Sequence, residues 1–205
     1  FTSNTFYAIL TGFFSTTLVQ SSSIVSLVVI SFLSVELLTL VQGIGIIFGS
    51  NLGSTTTAWI VSSLGVDVKI SIYAMPMILF GVILRFSKSN TYKGMGNVLL
   101  GLGFIFLGIS YMKDGFDILK DSLDLSSYSI EGALGIIIYI LIGAIATIII
   151  QSSAATLAII ITALSAGSII YINALALVIG AHIGTTFTAI LASLASNENG
   201  KRVAF

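Results

Sequence analysis

The chain has 205 residues, 56% of them hydrophobic and only 8% charged, with basic and acidic side chains in equal number and a mean hydropathy of +1.11. A soluble domain carries roughly 25% charged residues, so water is excluded as the sole solvent and the chain reads as an all-α integral membrane protein. A net charge of zero gives no footing for nucleic acid, and the absence of cysteine removes disulfides and thiolate metal sites.

Residues 5–18 are apolar, Gln20, Ser21, Ser22 and Ser23 interrupt them, and residues 24–33 resume the run. That leaves pieces of about 14 and 10 residues, where a spanning helix needs about 20. Two half-length helices around a polar tip predict a re-entrant hairpin, whose irregular backbone is tolerated only where protein or a watery cavity covers it. One straight helix, with serine hydroxyls bonded back to their own carbonyls, is the alternative. Residues 37–64 follow, with Gly49-Ser50-Asn51-Leu52-Gly53-Ser54-Thr55-Thr56-Thr57 at their centre. Glycines, an amide and hydroxyls at bilayer depth predict a discontinuous helix whose second half is capped by Ser54 or Thr55. Small residues for close helix packing are the other reading of that stretch.

Residues 68–86 and 94–112 are spanning candidates, and Arg85, Lys88 and Lys93 around the loop between them place it in the cytoplasm. Residues 113–131, with Asp114, Asp117, Asp121, Asp124 and Glu131, form a polar extracellular segment. A second hairpin is expected over 133–165 around Gln151, Ser152 and Ser153, and a second broken helix over 170–194 around Gly180-Ala181-His182-Ile183-Gly184-Thr185-Thr186. An offset of 131 residues, which carries Gln20 to Gln151, aligns residues 12–65 with 143–196 without a gap. About 14 of about 54 aligned positions are identical, where chance gives three or four. Counting crossings from the cytoplasmic loop makes the two copies inverted and puts Lys201 and Arg202 in the cytoplasm. The expected organisation is repeat 1 over 1–65, two linking helices over 66–112 of which the second belongs with repeat 2, the polar segment over 113–131, repeat 2 over 132–196, and a cytoplasmic tail over 197–205.

Inverted repeats of this kind bring their polar segments together near the bilayer midplane, where secondary transporters hold substrate and coupling ion. The groups on offer are hydroxyls, carboxamides, main-chain carbonyls and helix ends. Hard oxygens suit an unhydrated sodium ion, and helix N-termini with hydroxyl donors suit a small oxyanion. The core has no paired carboxylates and no set of nucleophile, base and orienting acid, so an enzyme is not expected.

The paired Gln-Ser-Ser tips, each followed about 30 residues on by Gly-x-x-x-Gly-[Ser/Thr]-Thr, resemble the type II sodium/phosphate cotransporter family over nearly the whole chain. The resemblance implies sodium-driven uptake of inorganic phosphate across the plasma (inner) membrane by a multi-pass protein, with sodium as co-transported ion, no organic cofactor, and a homodimer as one possible assembly. It implies phosphate binding by Gln20, Ser21, Ser22, Ser23, Gln151, Ser152, Ser153, Thr55 and Thr186. Sodium falls to Ser22, Asn51, Ser54, Thr55, Ser153, His182, Thr185 and Thr186. A symporter of another small anion, such as a dicarboxylate, is the rival reading. Three departures from the family pattern stand out. Ala154 replaces the hydroxyl that Ser23 has in the first tip, and His182 stands where Asn51 predicts an amide. The helix over 94–116 resembles one that precedes a repeat, yet none precedes Phe1, so the chain reads as a fragment. His182 is either a neutral stand-in for Asn or a titrating group beside the cation.

Overall fold

The computed structural model describes residues 4–66, 71–122 and 132–204, and every regular element among them is helical. In chain order these are α1 (Thr5–Val19), α2 (Ser22–Ser34), α3 (Leu40–Ile60) with a π-helical continuation (Val61–Val66), α4 (Ser71–Arg85), α5 (Asn90–Ser122), α6 (Gly132–Ile150), α7 (Ser153–Ser165), α8 (Tyr171–Ser193) and α9 (Glu198–Ala204). The chain divides into two compact units, one made of residues 1–59, 129–160 and 171–205, the other of residues 60–128 and 161–170.

Polar and apolar groups are distributed as an apolar solvent requires. Leu18, Trp59, Phe86 and Ile149 are each more than 70% exposed, while Thr16, Ser22, Ser50, Ser54, Thr147, Ser153, Thr156 and Ser193 are buried. A soluble monomer does not present so much contiguous apolar surface. Among the described residues, three helices are long and apolar enough to cross a bilayer, within Asn90–Ile118, Gly132–Ile150 and Tyr171–Ser193. Helices α1, α2 and α7, with 15, 13 and 13 residues, are shorter than a crossing needs.

In the first unit α1 lies against α3 backbone to backbone. A Cβ on Gly12 would collide with the Ile46 carbonyl oxygen, and one on Gly49 with that of Ile9. A Cβ on Gly53 would come within 2.5 Å of the Phe13 carbonyl oxygen. The same contacts recur between α6 and α8 at an offset of 131 residues: Gly143 on Leu177, Gly180 on Ile140, Gly184 on Ala144. Main-chain atoms cannot swing aside, so each position excludes any side chain. Thr16, buried beside this seam, donates to Ser50 Oγ at 2.7 Å.

That seam corrects the expected discontinuous helices. Helix α3 runs unbroken through Gly49–Thr57, and α8 through Gly180–Thr186. The glycines serve helix approach rather than unwinding. The two hydroxyls expected to cap a second half instead return to carbonyls three residues back, Ser54 to Asn51 and Thr55 to Leu52, and those of Thr56 and Thr186 do the same, to Gly53 and Ile183. A hydroxyl satisfied in this way is tolerated inside a helix at bilayer depth.

The second unit is built on α4 and α5, which also meet at glycine: a Cβ on Gly96 would sit 2.7 Å from the Gly81 carbonyl oxygen. Ala74 and Phe106 are buried between them. Helix α5 carries Asp114 and Asp117 onward to Ser122, so the first part of the polar segment continues a helix, while Asp124 and Glu131 lie outside the described residues.

Gly12→Ala or Gly143→Ala forces a Cβ onto a fixed carbonyl and is expected to destabilise by about 1–3 kcal/mol. Gly101→Ala, where nothing lies within 4 Å, gains helix propensity and should be neutral or stabilising by up to about 1 kcal/mol. Thermal unfolding of the three variants in one detergent separates these outcomes.

Candidate functional site

The two polar tips are built alike. Helix α1 stops because Gln20 turns into the left-handed region, with φ 56°, and Gln151 does the same after α6, with φ 58°. Each glutamine closes the helix it ends. The Gln20 N–H donates to the Thr16 carbonyl at 2.7 Å and the Gln151 N–H to that of Thr147 at 2.8 Å. Each side chain donates through Nε2 to the carbonyl three residues back, Gln20 to Thr17 and Gln151 to Ile148. The serine that follows opens the next helix as its N-cap. Ser21 Oγ accepts from the Ile24 N–H at 3.3 Å, and Ser152 Oγ from the Ala155 N–H at 3.2 Å. A straight helix through the tip is thereby ruled out, since the helical hydrogen-bond ladder is interrupted at both sites.

These caps leave the first N–H groups of α2 and α7, those of Ser22, Ser23, Ser153 and Ala154, without partners among the described residues. Both sets belong to one place. Gln20, Ser21, Ser22, Ser23, Ser54 and Thr57 line a cavity of about 30 Å³ together with Gln151, Ser152, Ser153 and Ala154. A helix N-terminus carries about half a positive charge, and two of them converge here with serine hydroxyls and no ionised side chain. That arrangement can hold a small anion by dipoles and hydrogen bonds alone.

A second cavity, of about 50 Å³, adjoins the first through Ser22 and Ser23. Ser26, Asn51, Thr185 and Thr186 complete its polar side, and Ile47, Ala189, Val203 and Ala204 its apolar side. Hydroxyl and carboxamide oxygens are the donors a hard cation takes. No ionised side chain lines it, so a cation here would be balanced by an anion next door.

Most of the residues expected to bind phosphate line the first cavity, and Ser22, Asn51, Thr185 and Thr186 of the sodium set line the second. Ser54 and Ser153 line the first cavity instead. Thr55 and His182 line neither of the two; Thr55 Oγ1 is turned to Leu52, and the half-buried His182 imidazole makes no hydrogen bond among the described residues. Gln20 is more engaged than expected, because its Nε2 also reaches Thr56 Oγ1 at 3.3 Å and its Oε1 accepts from Thr57 Oγ1. Among the described residues Gln151 has no such link to α8. There Thr188, the repeat mate of Thr57, donates across the unit to Ser23 Oγ at 3.4 Å. Thr57, Thr188 and Ser26 were missed as site residues. The identity of Thr57 and Thr188 in the repeat was the available signal, and Ser26 lies one turn along α2 from Ser22.

The Na+/Pi-cotransporter family model matches residues 1–114 and 135–200. The chain belongs to the Na+/Pi-cotransporter family. Its polar tips, central threonines and glycine seams all fall within the matched residues. No curated protein and no solved structure matches the chain. As a Na+/Pi-cotransporter family member it stands among sodium-coupled membrane transporters and not among enzymes.

Thr57→Val removes the donor to Gln20 Oε1 and one hydroxyl of the first cavity, and should lower transport about tenfold with the protein still folded. Thr55→Val, whose hydroxyl serves only its own helix, should keep transport within about threefold of wild type. Initial-rate uptake by the two purified variants checks the contrast.

Proposed function

We propose that this protein is a sodium-coupled importer of inorganic phosphate, working by alternating access in the plasma membrane, which it crosses several times. The observation that carries the reading is the convergence of the two Gln-Ser-Ser tips, 131 residues apart in sequence, on one cavity lined by two helix N-termini. Phosphate would lie against the N–H groups and hydroxyls of Ser21, Ser22, Ser23, Ser152 and Ser153, with Gln151 Oε1 free to accept from a protonated phosphate oxygen. Sodium would take oxygens of Ser22, Ser26, Asn51, Thr185 and Thr186 next door. Because Ser22 and Ser23 line both cavities, each ion neutralises the field that the other creates, and the site is completed only when both are present.

A cavity of about 30 Å³ admits two or three water-sized bodies, which is the scale of one tetrahedral oxyanion. The proposed inverted topology places the base of the first hairpin on the cytoplasmic side with Lys201 and Arg202. The hydrogen bond between Ser34 and Ser196 hydroxyls, at 2.5 Å, supports it by putting that base beside the segment leading to α9.

Proteoliposomes loaded without sodium should take up labelled phosphate when sodium is added outside, and excess succinate should not compete. Ser21→Ala and Ser152→Ala should each cut the rate about tenfold or more without loss of folded protein. Uptake that ignores sodium, or that succinate abolishes, would contradict the proposal. Single cysteines at Ser34 and Ser165 should label from opposite faces; labelling of both from one face would contradict the inverted topology.

A further inference from the structure

The segment that looked like a tail is a wall of the second cavity. Asn197 joins two helix ends with one carboxamide. Its Nδ2 donates to the Leu33 and Ser34 carbonyls at 3.0 and 3.2 Å at the end of α2, and its Oδ1 accepts from the Gly200 N–H at 3.0 Å at the start of α9. From that anchor α9 runs back along α2. A Cβ on buried Gly200 would meet Ile30 at 3.4 Å, and Val203 packs against the apolar cluster that includes Val25, Val29 and Leu33. At its end, Val203 and Ala204 face the cavity lined by Ser22, Ser23, Ser26, Asn51, Thr185 and Thr186. The hydroxyls at the N-terminal end of α2 and the apolar wall opposite are therefore spaced by the register of α9 on α2, and Asn197 sets that register.

We propose that Asn197 is a positioning residue and Val203 a specificity-determining residue for the cation: together they set the size of the second cavity and hence its affinity for sodium. This rests on the assignment of sodium to that cavity. A cation held by neutral oxygens is sensitive to cavity size, because each donor must reach it at once; a wall that retreats leaves donors at distances suited to a larger ion. The first cavity has no α9 residue in its lining, so phosphate affinity at saturating sodium should be unaffected.

The test measures sodium affinity directly, as sodium-dependent thermal stabilisation of purified protein with choline as control, alongside sodium and phosphate KM in uptake. Val203→Ala, Asn197→Ala and Asn197→Asp are compared with wild type. Aspartate keeps the acceptor for Gly200 but loses the donor to Leu33 and Ser34, so it tells the tie to α2 from a simple cap on α9. All three variants should weaken sodium binding about fivefold or more, with phosphate KM at saturating sodium within about twofold. Val203→Ala should also lessen discrimination against potassium. Unchanged sodium affinity in folded Val203→Ala, or full recovery by Asn197→Asp, would overturn the inference. Loss of sodium and phosphate affinity in parallel would overturn it too. If sodium binding behaves as stated while phosphate is not transported, the substrate assignment fails and this inference stands.

Discussion

In a solvent without water, every main-chain group released from a helix has to be answered by protein, at a cost of several kcal/mol for each one that is not. The two Gln-Ser-Ser tips meet that constraint with three devices each: a left-handed glutamine that still donates its N–H backward, a carboxamide that caps the preceding helix, and a serine that caps the next. Among the described residues, the groups that remain unanswered are the first N–H groups of α2 and α7, and both sets open on one cavity. Local chemistry at the break thus produces the electropositive site. Such a site suits an anion, at the place where the helices could not satisfy themselves.

The glycine seams make this possible by holding the tips in place. With α1 on α3 and α6 on α8 in main-chain contact, little freedom is left for either helix pair to slide. The two halves nevertheless are not equivalent. Gln20 is tied to Thr56 and Thr57 on its own neighbouring helix, whereas Thr188 reaches to Ser23 of the other half. Ala154, lacking the hydroxyl of Ser23, cannot return that contact. The second cavity is asymmetric in the same sense, joining the first tip and Asn51 to Thr185 and Thr186 of the second half.

Much of this was legible in the chain. The helix breaks at Gln20 and Gln151 could be read because a polar cluster in an apolar run has few other uses, and because it occurs twice. The unbroken course of α3 and α8 could not. Glycine, serine and threonine serve an unwound segment and a close helix crossing equally well, and only the position of Ile9 and Ile46 opposite Gly49 and Gly12 decides between them. The role of Asn197 and Val203 was invisible for a different reason. An amide followed by a short charged helix reads as surface, and nothing local in that segment reports that the end of α2 lies beside it.

Convergence of the two tips on one anion site is the central claim, and the chain's lack of cysteine makes it directly measurable. Cysteines placed together at Ser21 and Ser152 should be bridged within one chain by a short bifunctional thiol reagent or mercury. Sodium plus phosphate should slow that bridging sharply, while choline plus phosphate should not. Tips that never bridge, or that bridge at the same rate whatever ions are present, would contradict the account.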